Sequence, residues 1–282
     1  RRTRSLPSPV VSWIEAIVLG IVQGLTEFLP ISSTGHLRIV PALFGWEDPG
    51  AFFTATVQLG TMVAVVIYFW RDLLRIVRAW LSSLRRPAER GSLDARMGWY
   101  ILVATIPIGI FGLAFKDQIE TGARNLYLIG TVLIVLGLIL LLAEAVGRRV
   151  RDLSEVRMSD AVWVGLAQAL ALVPGTSRSG ATITASLFLG MKRDVAARFS
   201  FLLSVPAIVL SGLYGLGQIL TEDGGASLGA LAVATLFAFI FGYASIAFLL
   251  RYLATHSTLV FVVYRVALGA IVLGLTATGA IS

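Results

Sequence analysis

Two polar clusters interrupt otherwise apolar stretches of this chain, and both carry groups that could handle an anion. Gln23 to His36 reads QGLTEFLPISSTGH, and Gln168 to Thr182 reads QALALVPGTSRSGAT. In each, a Pro stands before a run of Ser and Thr, so a helix is expected to restart there with hydroxyls as caps and several backbone N–H groups free. Such a helix start attracts anions. Ser32 and Thr34 in the first cluster, and Ser177, Ser179 and Thr182 in the second, are the hydroxyls expected to contact a bound anion. Arg178 carries a planar fork that suits bidentate phosphate contact, and in apolar surroundings it needs an anionic partner. That partner is a phosphate or, as a structural ion pair, Glu27; the two roles can coexist.

Gln23 and Glu27 are four residues apart and share a helical face, which lets two oxygen-bearing side chains reach one hard cation such as Mg²⁺ or Ca²⁺. The plainer reading is a hydrogen-bonded polar face between helices. Ser32, Ser33, Thr34 and His36 offer hydroxyl nucleophiles and one group able to move a proton near neutral pH, although most such hydroxyls only cap helices. Arg38 and Arg265 lie near or within apolar segments, where either could snorkel to a surface or contribute to an anion path, and neither is assigned a role. Glu15 and Glu144 sit at expected membrane boundaries, where a carboxylate needs no special function, and His256 lies in a short loop.

The elements that must position these groups are membrane helices. The chain has 282 residues, of which 57% are hydrophobic and only 14% charged; that excludes an ordinary soluble domain. Long apolar runs replace the alternating pattern of a membrane barrel, so the predicted fold is an all-α polytopic membrane protein. The net charge of +7 comes from Lys and Arg in short loops, as membrane topology requires, and does not indicate nucleic acid. With no cysteine, the chain has no disulfide, no thiolate nucleophile and no Cys-ligated metal. The opening RRTRSLPSP leads into an apolar run without a small-residue cleavage site, which argues against a signal peptide.

Six segments read as full crossings: roughly 51–70, 98–115, 126–146, 199–220, 228–250 and 258–281. Regions 10–45 and 161–190 are broken by the polar clusters into arms too short to span about 30 Å of hydrocarbon. The loop from Arg71 to Met97 and the loop after 146 are rich in Arg and are expected on the cytoplasmic side. Counting crossings from there places 45–50, 116–125 and 221–227 outside and 191–198 inside. Region 161–190 then enters and leaves by one face, as a re-entrant hairpin. If region 10–45 does the same from the other face, residues 10–146 and 161–281 form an inverted repeat, each half a hairpin plus three crossings. Pro30 and Ser33 align with Pro174 and Ser177 in this reading, which leaves the basic N-terminus outside.

With these residues in hand, the chain resembles the bacterial undecaprenyl-diphosphatase family, also called the bacitracin-resistance protein family. The likeness rests on Gln23 to Glu27, of form (E/Q)xxxE, running on into FLPISSTGH, and on Pro174 to Thr182, of form PGxSRSxxT; it covers nearly the whole chain. The resemblance implies a bacterial inner-membrane phosphatase, open to the outer face, that converts the polyprenyl lipid undecaprenyl diphosphate to the monophosphate. It implies that Glu27 binds a divalent cation, that Ser33 and His36 serve catalysis, and that Arg178 binds phosphate. The nucleophile stays open between Ser33, His36 and water, and assembly as a homodimer stays open as well. Many members carry Glu where this chain has Gln23, a poorer cation ligand. The rival expectation is a transporter or flippase for a polyprenyl phosphate lipid, since opposed re-entrant tips also suit alternating access.

Overall fold

The computed structural model describes residues 11–115, 125–221 and 227–281. The basic N-terminus and most of the 116–125 and 221–227 loops, which the charge pattern places outside, lie beyond the described residues. Among those residues the regular structure is helical: α1 (Trp13–Phe28), α2 (Ser33–Phe44), α3 (Gly50–Tyr68), α4 (Trp70–Arg85), α5 (Leu93–Ala114) and α6 (Leu126–Val146) in the first half. The second half holds α7 (Met158–Ala169), α8 (Arg178–Phe188), α9 (Arg193–Thr221), α10 (Leu228–Thr255) and α11 (Leu259–Ala277).

Four helices, α5, α6, α10 and α11, are long and apolar enough to cross a membrane, and α3 with α4 makes a fifth candidate bent by 73° at Phe69. The protein is therefore a polytopic helical membrane protein. The expected loop from Arg71 to Met97 is a correction, because most of it is helix. Leu73, Ile76 and Trp80 recur at helical spacing and lay α4 along α5, where Trp80 packs over Gly98.

Both polar clusters break a helix where Pro and extended backbone stop it. α1 opens with a capping box in which Ser12 accepts from the Glu15 N–H and the Glu15 carboxylate accepts from the Ser12 N–H; it ends at Leu29, and α2 restarts at Ser33. α7 ends in a short 3₁₀ turn, Leu170–Leu172, and α8 restarts at Arg178. The restarts share one device. Ser32 and Ser177 are the N-caps, at φ +76° and +68°, and each accepts a hydrogen bond from the N–H of the Gly three residues on. A non-glycine residue in that region costs about 1–3 kcal/mol and persists only where its surroundings impose it. The register of the internal match therefore shifts by one: Ser32-Ser33-Thr34-Gly35 corresponds to Ser177-Arg178-Ser179-Gly180, and Gly175, at φ +89°, is the extra residue of the second tip.

Close helix contacts hold these breaks in place. Gly20 and Gly24 of α1 lie against Ala234 and the Ala238–Gly242 turn of α10, so near that a Cβ on Gly20 would come within 2.4 Å of the Ala234 carbonyl oxygen. Small residues four apart let membrane helices approach in this way. Gly130 of α6 and Gly269 of α11 form a second such contact. Arg151 ties the base of the second broken segment: its guanidinium donates to Asp160 at the start of α7 (2.6 Å) and to the Leu189 carbonyl after α8 (2.8 Å). The two ends of that segment thus lie side by side.

Candidate active site

The restarts of α2 and α8 meet at one carboxylate. Glu27 Oε1 takes an ion pair from the Arg178 guanidinium, while Oε2 accepts from Ser33 Oγ at 2.6 Å and from Gln23 Nε2 at 3.0 Å. In the corrected register Ser33 and Arg178 are the same position of the two tips, one residue past each cap. A shared carboxylate is thus gripped from both breaks. Ser179 adds a cross-tie, donating to the Leu29 carbonyl at 3.0 Å. Glu27 and Gln23 are buried, Ser33 and Arg178 are part-buried, and Thr34 is exposed, so the cluster opens on one side.

This geometry gives Ser33 a partner that the sequence does not reveal. Ser33 is hydrogen-bonded to Glu27, and among the described residues no hydrogen bond joins it to His36. The group placed to take the Ser33 proton is a carboxylate. Arg178 and Glu27 form the structural pair expected as one reading, and the Arg178 side chain keeps 13% of its surface exposed.

His36 is one helical turn further along α2 and faces α11. Its Nδ1 lies 2.7 Å from the Ser32 carbonyl and its Nε2 lies 2.6 Å from Tyr264 Oη, with the two rings nearly parallel at 5.6 Å. A carbonyl only accepts, so Nδ1 carries a proton, and when the ring is neutral Nε2 accepts from the tyrosine hydroxyl. Tyr264 was not singled out from sequence, because a tyrosine in an apolar helix is usually an interfacial side chain.

The neighbouring residue, Arg265, is the larger omission. It is 1% exposed and reaches no carboxylate; instead Nη1 donates to the carbonyls of Pro30 (3.1 Å) and Thr176 (3.0 Å), Nη2 to Gly175 (3.1 Å) and Nε to Leu133 (3.3 Å). One guanidinium therefore satisfies carbonyls of both broken segments and of α6. The carbonyls of Pro30, Gly175 and Thr176 are backbone groups that the breaks leave without helical partners, whereas Leu133 lies within α6.

The remaining candidates divide. Ser32 and Ser177 serve as caps, with Thr34 and Ser179 beside their hydroxyls at 3.3 and 3.1 Å. Thr182 is turned away, bonded to its own helix and at 2.5 Å to Ser200 Oγ of α9. Arg38 pairs with Asp48. Glu144, read as an idle boundary carboxylate, accepts from Arg149, Arg193 and Thr258 and fastens α6 to α9 and α11.

The donor set admits a hard cation. No group of three or more His, Cys, Asp or Glu occurs among the described residues. However, Gln23 Oε1 is buried without a hydrogen-bond partner beside Glu27, which gives one carboxylate and one orphaned amide oxygen. Mg²⁺ commonly takes one or two protein carboxylates and completes its shell with water and substrate phosphate oxygens.

Comparison with known proteins bears on what such a site does. A family model described as bacitracin resistance protein BacA matches residues 16–271. A protein of Nocardioides named undecaprenyl-diphosphatase is 54% identical over 273 residues, covering 97% of this chain and 100% of the relative. One of the same name from Mycolicibacterium smegmatis is 54% identical over 275 residues, covering 96% and 99%. A third, from Myxococcus xanthus, is 54% identical over 272 residues, covering 96% and 92%.

Proposed function

The chain belongs to the bacitracin resistance protein BacA family, and on that premise we infer that it hydrolyses undecaprenyl diphosphate to undecaprenyl phosphate and inorganic phosphate, recycling a cell-wall lipid carrier. Relatives named for that activity match it over nearly their full length. The observation that carries the assignment to a site is the double grip on Glu27, with a hydroxyl nucleophile from one broken helix and a phosphate-binding guanidinium from the other.

The mechanism follows from these contacts. The diphosphate enters from the open side and draws Arg178 onto its oxygens, which frees one face of Glu27. Ser33 Oγ attacks the terminal phosphorus and passes its proton to Glu27 Oε2. The bond from that phosphorus to the bridging oxygen breaks, Glu27 passes the proton to that oxygen, and undecaprenyl phosphate leaves, which returns Glu27 to its carboxylate form. Water then cleaves the phosphoserine, with Glu27 as the base, and releases inorganic phosphate. Arg178 and the free N–H groups at the starts of α2 and α8 stabilise the charge that builds on the transferred phosphoryl group. His36, oriented by Tyr264 and the Ser32 carbonyl, is the remaining proton carrier. A divalent cation held by Glu27 and Gln23 would neutralise phosphate charge.

We place this site at the junction of two re-entrant hairpins, 10–45 and 161–190, in an inverted repeat of halves 10–146 and 161–281. The matching Ser caps and the joined ends of the second hairpin support that layout. We infer an inner-membrane location with the site open to the outer face from membership of the family; the loop charge pattern supports only which loops face the cytoplasm.

Phosphate release from a short-chain polyprenyl diphosphate by the purified protein in detergent tests the enzyme reading. A pure lipid carrier would release none while still moving the lipid between leaflets of proteoliposomes. Chelator treatment is expected to abolish release and Mg²⁺ or Ca²⁺ to restore it. Gln23→Glu, which adds a charged ligand, is expected to lower the cation concentration for half-maximal rate by about tenfold; an unchanged cation dependence would remove Gln23 from the site.

Tyr264→Phe keeps the ring stack and deletes one hydrogen bond, worth about 0.5–1.5 kcal/mol. The expected result is a drop in kcat of about tenfold with KM little changed. The pair His36→Ala and Tyr264→Phe should be no worse than His36→Ala alone, since Tyr264 acts only through His36. Additive losses in the double variant would show an independent role.

A further inference from the structure

The surface of α4 is divided in a way that the phosphatase reaction does not use. At about 100° per residue, Trp70, Leu74, Val77, Leu81 and Leu84 fall on one stripe, and Trp70, Val77, Leu81 and Leu84 are 47–57% exposed. Ile76 and Ser83, on another side, are buried. Between them runs a stripe of Arg71, Arg75, Arg78, Ser82 and Arg85. Arg71, Arg75 and Arg78 line a cleft of about 530 Å³ together with Trp70, Leu74 and Ser82. Arg75 is neutralised by Asp72 and Asp94, and the acidic lining residue Glu89 is paired with Arg86. Arg71 and Arg78 form no ion pair among the described residues.

We propose that this cleft binds the headgroup of an anionic glycerophospholipid from the leaflet that α4 borders. The 73° bend after α3 turns α4 away from the line of the spanning helix, the attitude of an interfacial amphipathic helix. Its exposed apolar stripe gives acyl chains a surface, and the adjoining stripe gives the phosphate two guanidinium groups with no carboxylate of their own. A free phosphate would use the arginines and leave the apolar stripe without a role. A zwitterionic lipid would bring a cation of its own toward the arginines. The charge and the apolar surface together select an anionic lipid.

The test uses the full chain in detergent, titrated with phosphatidylglycerol, with phosphatidylcholine of the same acyl chains, or with inorganic phosphate. Bound lipid is counted by native mass spectrometry and the thermal midpoint is followed in parallel. The wild type is expected to bind phosphatidylglycerol at least about tenfold more tightly than phosphatidylcholine. The double variant Arg71→Gln, Arg78→Gln is expected to lose about thirtyfold in that affinity, the effect of two surface charges. Its lipid-free midpoint and its phosphatidylcholine binding should be unchanged. Arg251→Gln, an exposed arginine of α10 outside the cleft, should bind like the wild type. Equal binding of both lipids, an equal loss in Arg251→Gln, or displacement of the lipid by millimolar phosphate would each overturn the proposal. A lower lipid-free midpoint in the double variant would assign the two arginines to folding instead.

Discussion

Arg178→Ala is expected to lower kcat/KM for polyprenyl diphosphate hydrolysis by about a thousandfold or more, the scale seen when an arginine that stabilises a transferring phosphoryl group is lost. The reason lies in what the residue does at each stage. Without substrate it neutralises Glu27 across the two broken helices; in the proposed mechanism it turns to the diphosphate when substrate binds. Arg178→Lys keeps the charge and loses the planar fork, so it should retain only a small part of the activity. Arg178→Ala leaves the buried Glu27 carboxylate with only Gln23 and Ser33 as hydrogen-bond partners, so some stability is lost with it. Arg178→Lys keeps the charge, and a thermal midpoint within a few degrees of wild type beside collapsed phosphate release is its expected pair of readings. Activity within tenfold of wild type in Arg178→Ala would remove it from the transition state.

Arg265→Leu is expected to have the largest effect on stability. It strips hydrogen-bond donors from four carbonyls contributed by the two breaks and α6. A buried acceptor left unpaired costs about 1–3 kcal/mol. With partial relaxation, the total loss should be on the order of 3–5 kcal/mol, together with activity, since the tips lose their common anchor. Arg265→Lys offers three donors from one point instead of a fork and should fall between the two. Thermal unfolding in detergent and phosphate release, measured on the same preparations, check both halves. An Arg265→Leu protein as stable as wild type but inactive would mean that this arginine contacts the substrate instead of the backbone.

These residues also mark how far the sequence could be read. The helical membrane fold was legible because apolar length and loop charge are local properties, and the expected segment 126–146 coincides with α6. The polar site was legible for the same reason: Pro, Ser and a lone Arg inside apolar sequence violate the local pattern, and Gln23, Glu27, Ser33 and Arg178 do converge. Arg265 was not legible, because its partners are carbonyls, which every residue possesses and no side-chain pattern reveals. The register of the two tips differs by one residue from the alignment of Pro30 with Pro174 that the sequence suggests. The conformational anchor is the positive-φ serine, and Gly175 inserts ahead of it. α4 was read as a loop because its arginines dominate its composition, while the spacing of its apolar residues already described a helix.

If the diphosphate is cleaved at the carboxylate held by both broken helices, the transferred phosphate must pass through Ser33. Single-turnover reaction of the purified protein with a polyprenyl diphosphate labelled in its terminal phosphate tests it most directly, with Ser33→Ala and Arg178→Ala alongside. The expected result is a label transiently bound to Ser33 in the wild type, none in Ser33→Ala, and neither label nor release in Arg178→Ala. Release at the wild-type rate from either variant, or label held on a residue outside this cluster, would contradict it.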